Sequence, residues 1–369
     1  MDLRKTAIVI VFVCAFACGL CWAEADSSNN AKLQKLLERF PKADANGDGV
    51  LTLSEAKAFR EKQRGRQEKA DRKVDAGQSR PEPTFADVKY GPHERNVLDI
   101  YQAKSDKPTP LVVYIHGGGF VGGDKKGVNP AVVDKCLQSK VSVAAINYRF
   151  LEHAALPDIL RDSARAIQFL RFNCLKYNID KKRIASYGGS AGAGTSLWLA
   201  FHDDLADPKS KDPVLRESTR LSAAGSLNGQ FSYDFERWAE VIGEYPGTRE
   251  NMASKILNIY GLKDPNEVSS EKGKAIRADL DMYGLLTRDD APVFLHTAGK
   301  NTNPTDHGHY VHHPRHSIAI RDKCKQVGVE CETLPREEAP SLAGDAVSER
   351  MPSRKFLLQT PEGLAVSLA

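Results

Sequence analysis

Charge of one sign is scarce here: 52 lysines and arginines face 48 aspartates and glutamates, a formal +4 over 369 residues. No basic patch is interleaved with aromatic residues, so nucleic acid is not an expected partner. Cysteine is sparse, at seven. Cys14, Cys18 and Cys21 sit in a leader-like segment, which leaves Cys136, Cys174, Cys324 and Cys331. Four thiols in an oxidising compartment allow three pairings, and the sequence does not choose among them. Cys174 falls on the apolar face of a predicted helix, where a buried free thiol is expected. Histidine is missing from one stretch, since none follows His316. What is present, 41% apolar and 27% charged residues, is the composition of an ordinary soluble protein and not of a disordered one.

The first residues have the parts of a secretory signal. Arg4 and Lys5 form a positive start, Ala7 to Leu20 is apolar and uncharged, and Ala23-Glu24-Ala25 supplies a small-x-small cleavage pattern. Residues 1–25 are therefore expected to be removed after Ala25, giving a secreted or periplasmic protein with no stable membrane span. The run is short for the ~20 residues that a spanning helix needs. A lipid on Cys18 or Cys21 lacks a convincing Leu-x-x run before it. Asp2 and Glu24 leave with Arg4 and Lys5, so the charge stays at +4.

Asp44-Ala45-Asn46-Gly47-Asp48-Gly49-Val50-Leu51-Thr52-Leu53-Ser54-Glu55 fits a calcium-binding EF-hand loop. Asp44, Asn46 and Asp48 offer side-chain oxygens and Val50 its carbonyl. Thr52 stands where a ligand often acts through water, and Glu55 closes the sphere. Calcium is a hard cation that takes six to eight oxygens, which gives this density of oxygen donors a physical reason. Gly49 occupies the sharp turn. Leu33, Leu36, Leu37 and Phe40 recur at helical spacing before the loop, and Ala56 and Phe59 follow it. Residues 30–60 are expected to form a single hand with a structural or docking role, like those beside hydrolase domains in secreted planctomycete proteins. No second loop is found. Residues 61–84 alternate charges around few apolar side chains and end at Pro81 and Pro83, a linker pattern.

From residue 85 the pattern alternates strand and helix. Apolar strand-like runs lie at 96–101, 111–115, 141–146, 184–187, 291–295 and 329–334, and helical spacing at 158–177. This implies an α/β domain over 85–369 with a mostly parallel sheet covered on both faces. Residues 203–288 read as a polar insertion in it, from which Asn228 to Asp234, Arg237 and Trp238 could line a pocket. Two motifs follow strands. Gly188-Gly189-Ser190-Ala191-Gly192 opens a predicted helix at 193–202, a sharp turn that lifts a serine hydroxyl clear of the backbone. His116-Gly117-Gly118-Gly119-Phe120 follows Ile115, and its glycines let the N–H groups of Gly118 and Gly119, with that of Ala191, approach a developing oxyanion.

On these residues and on Asn147-Tyr148-Arg149, the chain from about Phe85 onward resembles the hormone-sensitive-lipase branch of the α/β-hydrolases. That branch includes secreted carboxylesterases and acetyl-xylan-esterase-like (BD-FAE-like) enzymes. The resemblance implies an α/β-hydrolase fold and ester hydrolysis through an acyl-enzyme on Ser190, with no cofactor for catalysis. The expected substrates are small esters, acetyl or feruloyl groups on polysaccharide among them, and His116 becomes an architectural residue. It also implies an acid after the strand at 292–295, for which Asp306 is the candidate, and a histidine after the last strand. The chain departs there, having no histidine beyond Leu334. Instead His307, His309, His312, His313 and His316 crowd the preceding segment. One of them, His312 or His313 by preference, is expected to serve as general base. The alternatives are a domain that only binds a ligand, or a zinc site. His309 and His313 would share a face only in a helix, and Pro314 argues against one.

Overall fold

Leu111 to Ile115 is apolar at every other position and again between, as a strand buried on both faces requires. In the computed structural model, which describes residues 26–59 and 81–335, that run is the carboxyl-terminal part of a strand with both faces covered. The signal at 1–25, the charged stretch 61–80 and the tail beyond 335 lie outside the described residues. The chain divides into two compact units, Met1–Ser79 and Arg80–Ala369.

The second unit is an eight-stranded sheet. The strands are β1 (Phe85–Lys89), β2 (Val97–Tyr101), β3 (Thr109–Ile115), β4 (Ser142–Ile146), β5 (Ile179–Gly189), β6 (Ala223–Leu227), β7 (Val293–Thr297) and β8 (Cys331–Pro335). They lie in the order β1-β2-β4-β3-β5-β6-β7-β8. β2 runs antiparallel to both neighbours, and all pairs from β4 to β8 are parallel. Alternation along β3 divides the core. Leu111, Val113 and Ile115 join a cluster with the helices Leu156–Phe172, Ala191–Phe201 and Pro314–Val327, while Val112 joins a smaller one with Pro130–Gln138. Fully burying one such side chain is worth roughly 1.5–3 kcal/mol, so the two-sided sheet is a rigid base for loops at its carboxyl ends.

The structure corrects two readings. Residues 203–288 are not one excursion, because β6 within them is a central strand registered between β5 and β7. Its Ala-Ala-Gly-Ser-Leu has no β-branched or aromatic residue to announce it. The helix predicted to run to Tyr177 ends at Phe172, and Cys174 follows in a turn, half-buried. All four described cysteines are free thiols. Cys324 and Cys331 are hydrogen-bonded to each other, and that contact together with burial pushes the Cys324 thiol up.

In the first unit, helix Ala31–Arg39 leads through a short turn, Pro41–Ala43, into the loop 44–55, and residues 53–59 are helical. Leu33, Ala43, Leu51 and Ala56 form its small core, with Leu36, Leu37, Phe40 and Phe59 packed against it.

Candidate active site

Ser190 stands between the end of β5 and the helix Ala191–Phe201, with φ 53° and ψ −117°. A non-glycine residue in this region is strained and persists only where its surroundings enforce it. They do: the Ser190 N–H donates to the Leu227 carbonyl at 2.9 Å, tying the turn to the end of β6. The flanking glycines are compulsory. A Cβ on Gly192 would lie 2.0 Å from the Ile115 carbonyl oxygen, and one on Gly188 2.4 Å from the same atom. The helix is thus pressed on the end of β3, and no larger residue fits the bend.

The second loop leaves β3 at His116. Gly118 (φ 110°), Gly119 (φ 62°) and Phe120 (φ 62°) all take left-handed backbone, so the chain curls back and Val121 N–H donates to the Gly118 carbonyl at 3.1 Å. His116 is buried, stacked on Tyr148 at 4.2 Å, with its Nδ1 2.8 Å from the Gly117 carbonyl. Burial is the main cause that lowers its pKa to about 4, so the ring is neutral and braces the loop. Asn147-Tyr148-Arg149 now has a physical reason. The Asn147 side chain accepts from Lys125 N–H at 2.6 Å and donates to Asp124 at 2.8 Å, and the Tyr148 hydroxyl donates to the His116 carbonyl at 2.6 Å. Arg149 grips Asp162 with two bonds of 2.8 Å. Two further braces belong to no motif. Buried Lys125 reaches Asp99 at 2.6 Å, and Arg95 donates to the carbonyls of Tyr148 and Gly123 at 2.8 and 3.1 Å.

Of the five crowded histidines, His312 meets the serine: its Nε2 lies 2.8 Å from Ser190 Oγ. It follows the short helix His307–Val311. Its backbone N–H donates to the Gly308 carbonyl at 3.2 Å, which closes the last turn of that helix. Burial holds the ring below the usual histidine range, against the pull of the Gly308 carbonyl.

The others are committed elsewhere, His313 included. The residue before a proline is driven to extended backbone, and His313 (φ −68°, ψ 140°) becomes the cap of helix Pro314–Val327, its Nδ1 accepting from Arg315 N–H. Its Nε2 lies 2.6 Å from the Thr302 carbonyl, so His313 braces the loop and is not delivered to Ser190. His309 stacks on it at 4.9 Å despite Pro314, with Nε2 2.8 Å from the Lys300 carbonyl. Ring nitrogens that donate to carbonyls have no lone pair for zinc. His307 meets Tyr245 and Lys255, and His316 is buried against Trp238. Asp306 caps the helix His307–Val311, its Oδ1 accepting from His309 N–H at 2.9 Å.

Gly117, Gly189, Ser190, Leu227, Asn228, His296, Ala298 and His312 line a cavity of about 440 Å³ over the serine. Of the residues expected to line a pocket, Asn228 does. Its own N–H donates to the His296 carbonyl and its side chain accepts from Ala298 N–H, both at 2.7 Å. Phe231, Ser232, Tyr233 and Trp238 are instead buried in the core. Leu227, His296 and Ala298 were not legible as pocket residues, because they stand at the ends of β6 and β7, whose alignment only the sheet reveals.

A strained serine at a strand end, a glycine loop beside it and a histidine on its hydroxyl can now be compared with known proteins. A profile of the BD-FAE family matches residues 98–282, half of the chain. The chain belongs to the BD-FAE family. The matched span holds the glycine loop and Ser190 but stops short of His312. "Probable carboxylic ester hydrolase LipM" of Mycobacterium tuberculosis is 31% identical over 155 residues, 41% of this chain and 35% of that protein. "Probable isoprenylcysteine alpha-carbonyl methylesterase ICMEL1" of Arabidopsis thaliana is 27% identical over 146 residues, 39% of this chain and 30% of that protein. The chain thus spans about a third of the length of the curated relatives it matches. Among solved structures, a truncated carbohydrate esterase from gut microbiota superposes with a TM-score of 0.54 at 20% identity, covering 70% of this chain and 88% of that one. An acetyl ester-xyloside bifunctional hydrolase from Caldicellulosiruptor lactoaceticus gives 0.52 at 22%, covering 70% and 87%. At such identity the likeness shows the BD-FAE chain to share the α/β-hydrolase fold.

Proposed function

We propose that this protein is a secreted serine carboxylesterase, and the observation that carries the reading is the 2.8 Å contact between Ser190 Oγ and His312 Nε2. In the first half-reaction the serine hydroxyl gives its proton to Nε2 as Oγ adds to the ester carbonyl carbon. The carbonyl oxygen becomes an oxyanion, which the N–H groups of Gly118, Gly119 and Ala191 are there to stabilise. Each such donor is worth about 2.7–4 kcal/mol. Collapse expels the alcohol, which takes the proton from His312, and leaves an acyl group on Oγ. Water then adds to the acyl carbon, giving a proton to His312, which passes it to Ser190 Oγ as that bond breaks and the carboxylic acid leaves. His312 must be neutral to begin, and its lowered pKa keeps it so at neutral pH.

The substrate we favour is a short-chain ester, with acetyl or feruloyl groups on polysaccharide as the natural setting. The printed names of two structural neighbours, a carbohydrate esterase and an acetyl ester-xyloside hydrolase, support that class. The rival reading is a fold that only binds a ligand, which drew its force from the missing late histidine. The position of His312 weighs against it. Purified protein should hydrolyse a chromogenic acetyl ester, and Ser190→Ala should reduce the rate to background. Equal rates in the two proteins would refute the esterase reading.

Calcium belongs to the same proposal as a structural cofactor of the first unit. The donor chemistry of its loop suits the ion: Asp44, Asn46, Asp48 and Glu55 each carry a side-chain oxygen, Val50 offers its carbonyl, and Thr52 adds a hydroxyl. Gly49 turns at φ 83°. The carboxylates already accept N–H groups from the loop, Asp44 from Gly47 and Gly49 at 2.7 and 2.9 Å, so the loop is shaped around them.

A further inference from the structure

A calcium hand that stands alone leaves an open edge. In the loop 44–55 that edge is Leu51, whose backbone N–H and C=O lie beside two ligand positions, the Val50 carbonyl and Thr52. Unpaired backbone groups at a buried position cost free energy, and an exposed strand edge invites another chain. Leu51 is fully buried, and both of its backbone groups have partners in this structure. The Ser27 N–H donates to the Leu51 carbonyl at 2.9 Å, and the Leu51 N–H donates to Ser27 Oγ at 2.8 Å. Beside them Asp26 and Thr52 form an antiparallel bridge. Ser27 is itself buried, and the Asp26 N–H is received by the Asn29 side chain at 3.0 Å, which fixes the approach of this segment.

We infer that Asp26 and Ser27 act as the second strand of the calcium loop, taking the place of a partner hand, so that the loop binds its ion as a single unit. The inference rests on the calcium reading above and adds its regulation, since affinity then depends on a segment outside the loop. Holding both backbone groups of Leu51 fixes the Val50 carbonyl and Thr52 before the ion arrives, and this preorganisation is where the affinity comes from. The closed edge also leaves no ladder for a second copy. Two residues achieve this because one hydroxyl stands in for the carbonyl that a longer strand would supply.

The test is calcium titration by calorimetry on the whole chain stripped with chelator, with sedimentation to follow its oligomeric state. Ser27→Ala removes the hydroxyl and keeps the backbone bond; Ser27→Pro removes both. The expected result is one calcium per wild-type chain with no calcium-dependent association. Kd should rise in order, about threefold for Ser27→Ala and at least tenfold for Ser27→Pro. Asp44→Ala should abolish binding. Equal Kd values in wild type and Ser27→Pro, or binding in wild type that occurs only with association, would overturn the inference while leaving the calcium site intact. A wild-type chain that takes no calcium would remove the calcium reading and this inference together.

Discussion

Ser190 sits at φ 53°, where a residue with a Cβ costs of order 1–3 kcal/mol. The cost is offset by Gly188, Gly192 and the Leu227 carbonyl, which leave the turn no relaxed alternative. His312 is placed differently, by a turn of helix whose first N–H groups need an acceptor. Asp306 supplies it, and we assign Asp306 this positioning role in preference to that of the acid behind the base. The two roles make different predictions. Asparagine caps a helix about as well as aspartate, so Asp306→Asn should keep kcat/KM within about tenfold of wild type. Asp306→Ala should lower stability by about 1 kcal/mol, read from a denaturant midpoint. A loss near 10⁴ on Asp306→Asn, the cost of neutralising a triad carboxylate, would restore Asp306 to the acid's part.

The segment from His307 to His316 brings His312 to the serine, and its histidines make stability depend on pH. Burial is the main cause that lowers His307, His312 and His313, and it takes His316 to about 3. Unfolded, each returns to about 6.5 and binds a proton that the folded chain refuses. Their contribution is complete above 6.5 and is lost as pH falls toward the folded values. His202 works the other way: burial lowers it, but hydrogen bonding, chiefly to Asp279, outweighs that and raises it. Its contribution is present below 6.5 and lost as pH rises through its folded value. The lowered group is the larger, so the denaturant midpoint should fall between pH 7 and 5, above the carboxylate range. A flat profile in that window would contradict the burial assigned to these rings. At this scale the sequence was also most and least legible. Strands rich in Val and Ile, such as β3 and β4, announced themselves, and both glycine motifs fell at strand ends as expected. β6 did not, since small residues suit a strand only where neighbours close in on both sides. The crowding of histidines was visible, but not the choice of His312 over His313. That choice follows from Pro314, which fixes its predecessor as a helix cap, and from the helical turn that Asp306 starts.

At the scale of the molecule, the two units have separate cores. In the proposed mechanism the steps at Ser190 use His312 and backbone N–H groups, whereas the loop proposed to hold calcium belongs to the first unit. Removing calcium with a chelator should therefore make the first unit sensitive to protease while kcat/KM stays within about twofold. A parallel loss of activity would show the two functions to be coupled. The central claim concerns the sheet as a whole: the end of β5 and the segment that follows β7 bring a serine and a histidine 122 positions apart into one hydrogen bond. It is tested most directly by kcat/KM for a short-chain ester in His312→Ala. The account predicts a fall of about 10³ or more with the denaturant midpoint at pH 7.5 little changed. Activity within tenfold of wild type would mean that some other group takes the proton from Ser190.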